Sequence, residues 1–135
     1  MKRLHIITPV KDSIDFTLET IRAILASEIK VPFTYTVYND FSTPENTARL
    51  EEASQALGFR LVNLAEITDH PSPNYLLVLR KAQTEALAED AGLLIVESDV
   101  VVKKDTLQGL FDGAQSRPDC AIAAAVTTDE AGEIN

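Results

Sequence analysis

Cysteine occurs once, at Cys120, so the 135-residue chain can form no internal disulfide, which suits a reducing compartment. One cysteine and two histidines, His5 and His70, are a poor basis for a zinc site. No apolar run approaches the ~20 residues of a membrane-spanning helix. Met1-Lys2-Arg3 leads directly into a strand pattern, without the long apolar region and small-residue site of a signal peptide. Basic residues are scarce: 12 Lys and Arg face 21 Asp and Glu, and the net charge of −9 argues against general binding to a nucleic-acid backbone. There is no Gly-rich signature of a P-loop or a dinucleotide fold. Repeats, low-complexity tracts and Pro/Gly/Ser-rich linkers are absent as well. These absences lead us to expect a cytoplasmic domain with no membrane span and no nucleic-acid partner. A polyanionic ligand would need local help from a metal, a helix N-terminus or a few bases.

What is present is an alternation of strand and helix patterns. Leu4 to Thr8 reads as a strand ending at Pro9. Asp12 or Ser13 can cap a helix with Ile14, Leu18, Ile21 and Leu25 on one face and Phe16 and Ile24 beside it. Phe33 to Tyr38 is a second strand, rich in Thr, Tyr and Val. Ser42 and Glu45 have capping-box spacing around Pro44, opening a helix with Leu50, Ala53 and Leu57 inward and Gly58 as its stop. Phe59 to Leu64 is a third strand, Glu66 to Asn74 a loop carrying Pro71 and Pro73, and Tyr75 to about Glu89 a helix. Asp105 to Ala114 is a short helix with Leu107, Leu110 and Phe111 inward. Cys120 to Thr127 reads as a small-residue strand and Asp129-Glu130-Ala131-Gly132 as a turn. The pattern predicts a single α/β domain over residues 1–135: three α/β/α layers, Rossmann-like, with a mainly parallel central sheet. Only Glu133-Ile134-Asn135 follow the last turn, too few for a returning strand. The chain is therefore expected to be a fragment of a longer protein, with an apolar edge that favours self-association.

The most informative stretch is Leu93-Leu94-Ile95-Val96-Glu97-Ser98-Asp99. Four apolar residues after Gly92 read as a strand buried on both faces, running straight into two acids. A divalent cation held with nucleotide phosphates would compensate such carboxylates; simple solvation beyond the sheet edge would serve equally well. In parallel sheets, ligands bind beyond the carboxyl ends of the strands. Pro9 to Asp12, Asn39 to Ser42, Ala65 to Asp69 and Glu97 to Asp99 would then share one edge.

Four blocks in order and spacing resemble the family 2 glycosyltransferases. Ile6-Ile7-Thr8-Pro9-Val10-Lys11-Asp12 looks like that family's opening strand, and Tyr38-Asn39-Asp40-Phe41-Ser42-Thr43 is similar to its Asp-Asp-Gly-Ser-Thr block. Arg80-Lys81-Ala82 resembles its Ala-Arg-Asn segment, and Glu97-Ser98-Asp99 stands in the place of its Asp-x-Asp metal motif. The resemblance covers essentially the whole chain and implies a GT-A fold whose donor-binding half this would be. It implies that Pro9, Val10 and Lys11 line the nucleobase and ribose pocket. Asp40 would accept a hydrogen bond from the base, and Arg80 would face the diphosphate. Asp99 would be the main metal ligand, with Glu97 near the ribose or metal and Ser98 between them. The implied cofactors are Mn²⁺ or Mg²⁺ and a nucleotide-sugar donor, a UDP-sugar by family habit; the acceptor, whether sugar, lipid or protein, is left open. The family's catalytic base lies beyond the residues present, so no catalytic residue is assigned.

The chain departs from the family at Glu97 for Asp, Asn39 for an acid, Phe41 for a glycine, and Lys11 where an aromatic often stacks. These changes keep a second reading alive, a degenerate GT-A-like module that binds nucleotide weakly or acts as a scaffold. Blander roles exist for single residues too: Asp40 complementing a helix dipole, Arg80 and Lys11 solvated, His5 packed in its strand, His70 in a loop. Cys120 is expected to be an inert core thiol, and Tyr75, Leu76 and Leu79 core residues.

Overall fold

The computed structural model describes all 135 residues. β1 (Arg3–Val10) is the aliphatic centre, with Leu4, Ile6 and Ile7 essentially sealed from water. It is followed by α1 (Ile14–Leu25), β2 (Phe33–Asn39), α2 (Pro44–Leu57), β3 (Arg60–Asn63), a single 3-10 turn at Leu64–Glu66, α3 (Tyr75–Ala88), β4 (Ala91–Ile95) and α4 (Thr106–Gln115). The strands form one sheet in the order β3-β2-β1-β4, with every pair parallel. Parallel neighbours need crossovers, and the intervening helices supply them.

The side-chain alternation of each strand sorts the core into two layers. Leu4, Ile6 and Val10 of β1 meet Tyr35, Val37 and Leu94 on one face, under Ile14, Ile21 and Ile24 of α1, Leu50 of α2, and Leu107 and Phe111 of α4. On the other face Ile7, Tyr38 and Leu64 pack beneath Val78 and Ala82 of α3. The predicted three-layer α/β/α domain with its parallel sheet is therefore observed.

Several local expectations are corrected. β4 is not buried on both faces: Leu94 is 8% exposed but Ile95 41%, because β4 borders the sheet and has β1 as its only neighbour. Cys120 to Thr127 forms no strand. Residues 121–126 make no backbone–backbone hydrogen bond and lie exposed, since strand-prone residues become a strand only beside a ladder partner. Cys120 is accordingly half-buried rather than a core thiol. Finally, Tyr75 and Leu76 are exposed at the start of α3, whose buried line runs through Val78, Ala82 and Ala86; Leu79 alone of the three packs on the core. Phe16 and Leu57 also face solvent. The turn at Asp129 to Gly132 is as expected. The Asp129 carboxylate accepts from the backbone N–H groups of Ala131 and Glu133, both at 2.9 Å, and Gly132 has φ 84°.

Asp90 follows the last turn of α3 with φ 52°, a left-handed position that favours glycine. Its ion pair with the N-terminal ammonium, at 3.7 Å, is exposed and worth little. Asp90→Gly is therefore expected to raise unfolding free energy by about 0.5–1 kcal/mol in urea titration; a loss of stability would mean that the ion pair outweighs the backbone strain.

Candidate functional site

Because all four strands run the same way, their carboxyl ends share one edge. Pro9, Val10 and Lys11 leave β1 there, Asn39 and Asp40 end β2, and Glu97, Ser98 and Asp99 follow β4. Val96 still donates its N–H to Ile7 O at 2.9 Å, so the acidic turn begins directly beside β1. Thr20 of α1 then donates its hydroxyl to Ser98 O at 3.0 Å and fixes that turn.

Glu97 and Asp99 are exposed. Tyr75 points its hydroxyl at Glu97 Oε1, at 3.4 Å, and its phenol is held above the usual value by burial first and then by the Glu97 charge. No third His, Cys, Asp or Glu side chain joins Glu97 and Asp99 in a metal-binding cluster. Two hard oxygen donors at an open edge fit Mg²⁺ or Mn²⁺ only if phosphate oxygens and water complete the shell.

Asp40 is 8% exposed and its carboxylate is engaged inside the chain. Oδ2 accepts from Ser72 Oγ and from the Asn74 backbone N–H, and Oδ1 accepts from Asn74 Nδ2, all at 2.8 Å. Burial pushes this carboxyl up, but the hydrogen bonds from Asn74 and Ser72, with the Lys11 charge, outweigh it and leave it below the usual range. Asp40 thus anchors the 66–74 loop and the start of α3. Lys11 is exposed and donates from Nζ to Phe41 O at 2.9 Å. The Arg80 side chain makes no hydrogen bond or ion pair; its backbone carbonyl accepts from Thr84 Oγ1 at 2.9 Å. Arg80 is exposed and lines a shallow depression of about 290 Å³ with His70, Pro73, Asn74, Leu76 and Leu77, on the outer side of α3. The structure brings Pro9, Val10, Lys11, Asp40, Glu97, Ser98 and Asp99 to one edge, and Arg80 lines its depression beside Asn74, the partner of Asp40.

Phe41 adopts φ 60°, so the left-handed turn after β2 is kept although a phenylalanine occupies it. Asn39 is fully used: its amide donates to Thr47 Oγ1 and Asn63 Oδ1, both at 2.9 Å, and its carbonyl accepts from Ser42 N. The capping of α2 also differs from the sequence expectation. Thr43, not Ser42, is the N-cap, accepting from Asn46 N at 3.2 Å, while Ser42 Oγ accepts from Asp12 N at 2.8 Å. The expectation that Asp12 or Ser13 caps the first helix is corrected: α1 has no side-chain cap bond, and the Asp12 carboxylate binds Thr43 N and Asn46 at the start of α2 instead. Sequence reasoning missed Ser72 and Asn74, whose only signal was their polar, hydrogen-bonding character in a loop.

A second polar cluster, half-buried around the buried His5, joins α3 to β1 and β3. Glu85 takes both guanidinium nitrogens of Arg60, at 2.8 and 3.0 Å, and lies 3.3 Å from Lys81 and 3.6 Å from His5 Nε2. His5 is 1% exposed and pairs through Nδ1 with the Thr34 hydroxyl at 2.9 Å. It is a packed strand residue, as expected.

No protein-family model and no curated protein matches this sequence. Solved structures do resemble it. Residues 1–349 of TarS from S. aureus superpose with a TM-score of 0.55 at 22% identity, over 85% of this chain and 33% of that one. The same TarS segment has been crystallised with UDP-GlcNAc and with UDP. The mannosyltransferase PcManGT from Pyrobaculum calidifontis, in complex with GDP-Man and Mn²⁺, gives a TM-score of 0.53 at 20% identity, over 82% of this chain and 31% of that one. The chain has a GT-A-like fold. It spans about a third of the length of these two chains. No helix of this GT-A-like domain is long and apolar enough to cross a membrane.

Proposed function

We propose that this GT-A-like domain binds a nucleotide-sugar at its strand-tip edge, as the donor-binding portion of a glycosyltransferase. The observation that carries the reading is the meeting of the β1, β2 and β4 tips at one edge, in a fold shared with proteins crystallised with UDP-GlcNAc or GDP-Man. Pro9, Lys11 and the backbone of Val10, whose side chain is in the core, would flank the nucleoside. Asp40 would act on it from beside the loop it anchors. Asp99, with Glu97, would hold Mn²⁺ or Mg²⁺ against the diphosphate. When bound, such an ion offsets charge developing on the departing diphosphate. This chain's own part is to orient the donor and to place two carboxylates where that ion is needed. Arg80, whose side chain has no partner within the chain, would face the diphosphate. The parent protein would transfer the sugar to an acceptor whose recognition, with the proton-accepting base, is not assigned to residues of this chain.

Calorimetry with UDP and with GDP, each with Mn²⁺ and with chelator, tests the reading. Binding is expected to be weak and to tighten with metal, and Asp99→Ala should remove the metal-dependent part. Equal affinity with and without Mn²⁺ would show that Glu97-Ser98-Asp99 is not a metal motif. A second reading, a non-catalytic nucleotide-binding or scaffold module, is favoured by Asn39, whose amide is consumed by structural hydrogen bonds where the family carries an acid. A transfer assay on the longer parent protein with several nucleotide-sugars separates the two readings.

A further inference from the structure

Four non-glycine residues have left-handed backbone, and three of them, Asp12 (φ 55°), Ser13 (φ 48°) and Phe41 (φ 60°), sit in two facing turns at the strand-tip edge. Side chains disfavour this conformation, and it persists only where the surroundings over-determine it. A set of cross-turn hydrogen bonds does so here. Asp40 N donates to Val10 O at 2.8 Å, and Lys11 Nζ to Phe41 O at 2.9 Å. Asp12 N donates to Ser42 Oγ at 2.8 Å. Asp12 Oδ1 accepts from Thr43 N at 2.8 Å and from Asn46 Nδ2 at 3.0 Å.

Asp12 is the hub of this stitching. Its carboxylate caps α2 from a different turn, beside the positive end of that helix. Thr43 can then spend its own hydroxyl on Asn46 N. The carboxyl is held below its usual range, chiefly by the Thr43 N–H and then by Asn46. Without the Asp12 carboxylate, Thr43 and Asn46 would lose their bonds to the first turn, and the turn at Asp40 to Thr43 would be held to it only by the Val10 and Lys11 contacts and the backbone N–H bond to Ser42 Oγ.

We propose that Asp12 is a positioning residue for nucleotide binding: it locks the turn after β2 against the turn after β1, so that the wall made by Pro9, Val10, Lys11 and Asp40 is formed before the nucleotide arrives. A preformed wall spares the ligand the ordering cost of two loops. The inference rests on the nucleotide-binding reading above and adds to it a residue that need not touch the ligand.

The test compares the unsubstituted chain, Asp12→Ala and Asp12→Asn by calorimetry with UDP or GDP, at a temperature where circular dichroism shows each variant fully folded. Asp12→Ala is expected to weaken binding about tenfold, equally with and without Mn²⁺. Asp12→Asn, which keeps the Oδ1 acceptor, should recover most of that loss. Hydrogen exchange at the Thr43 amide should accelerate in Asp12→Ala and stay slow in Asp12→Asn. A residue that merely stabilises the fold would lower the melting temperature and leave the affinity of the folded protein unchanged, and that result overturns the proposal. If Asp12→Ala does not fold, Ser42→Ala, which removes the acceptor of the Asp12 N–H, takes its place with a smaller expected loss; unchanged affinity there overturns the proposal equally. Absence of nucleotide binding by the unsubstituted chain ends the nucleotide reading itself, and the role of Asp12 with it. Binding by the unsubstituted chain that Asp12→Ala leaves intact ends the Asp12 role alone.

Discussion

Asp40→Ala is expected to lower unfolding free energy by about 2–4 kcal/mol, read from denaturant titrations at pH 7. The substitution removes a nearly sealed acceptor and leaves the Asn74 N–H, the Asn74 amide and the Ser72 hydroxyl to find new partners. Hydrogen bonds to a charged group contribute more than neutral ones, and a donor stranded in a buried site costs its desolvation. The bonds act as a unit, so the figure is less than their sum. Asp40→Asn keeps the shape but turns a donor toward donors, and should lose much of the same stability. The pH dependence has a definite sign. The folded carboxyl is held below its unfolded value of 3.8, so its contribution is complete above that value and is lost as pH falls below it. The gap between the unsubstituted chain and Asp40→Ala should therefore narrow at about pH 3. A variant as stable as its parent at pH 7 would show that the 66–74 loop is held by other means.

Glu85→Ala is the second large effect, expected to cost about 1–2 kcal/mol. Glu85 binds Arg60 in a two-point fork and sits beside Lys81 and the buried His5 ring. Arg60 is about half exposed, and water takes over part of its role when Glu85 is gone, which keeps the figure modest. The sharper signature is acid sensitivity. Burial lowers the His5 pKa from 6.5, and Glu85 is the main influence raising it. A histidine with a depressed folded pKa binds fewer protons folded than unfolded, so stability falls as pH drops below about 6.5. Removing Glu85 depresses His5 further and should steepen that fall between pH 6.5 and 5. Unfolding titrations across this range, with the His5 ring followed by NMR, check it; identical slopes would mean that Glu85 does not set the His5 environment.

The alternation of elements was legible because each strand is a compact aliphatic or β-branched run and each helix keeps an apolar stripe. Ile14, Ile21 and Ile24 in α1 and Leu107 and Phe111 in α4 lie where their spacing put them. The shared edge followed from parallel topology alone, so Asp40, Glu97 and Asp99 could be placed together without knowing a single contact. What sequence could not show were contacts between segments distant in the chain. The Ser42–Glu45 spacing satisfied a capping rule, yet Asp12 had claimed the Ser42 hydroxyl from thirty residues away. Asp40 looked free to meet a base because Ser72 and Asn74 lie in a proline-containing loop with no periodic signal. Cys120 to Thr127 has the composition of a strand, but composition does not provide a neighbouring backbone. Tyr75 and Leu76 are apolar at helical spacing, and only the tilt of α3 over Ile7 and Tyr38 decides that Val78 and Ala82 take the core instead.

The strand order also dictates how the chain must be made. Of the four strands of this sheet β1 is synthesised first, yet its second neighbour, β4, is synthesised last: Arg3 pairs with Ala91 and Ile7 with Ile95. On a ribosome, β1, β2 and β3 can assemble as they emerge, but one side of the most aliphatic strand stays without its ladder until the residues after α3 are out. Closing that long separation makes folding slow compared with a helical bundle of equal size. For all that time Leu4, Ile6 and Ile7 present an open, sticky backbone edge, the part of a nascent chain that holding chaperones bind and that aggregates when they are scarce.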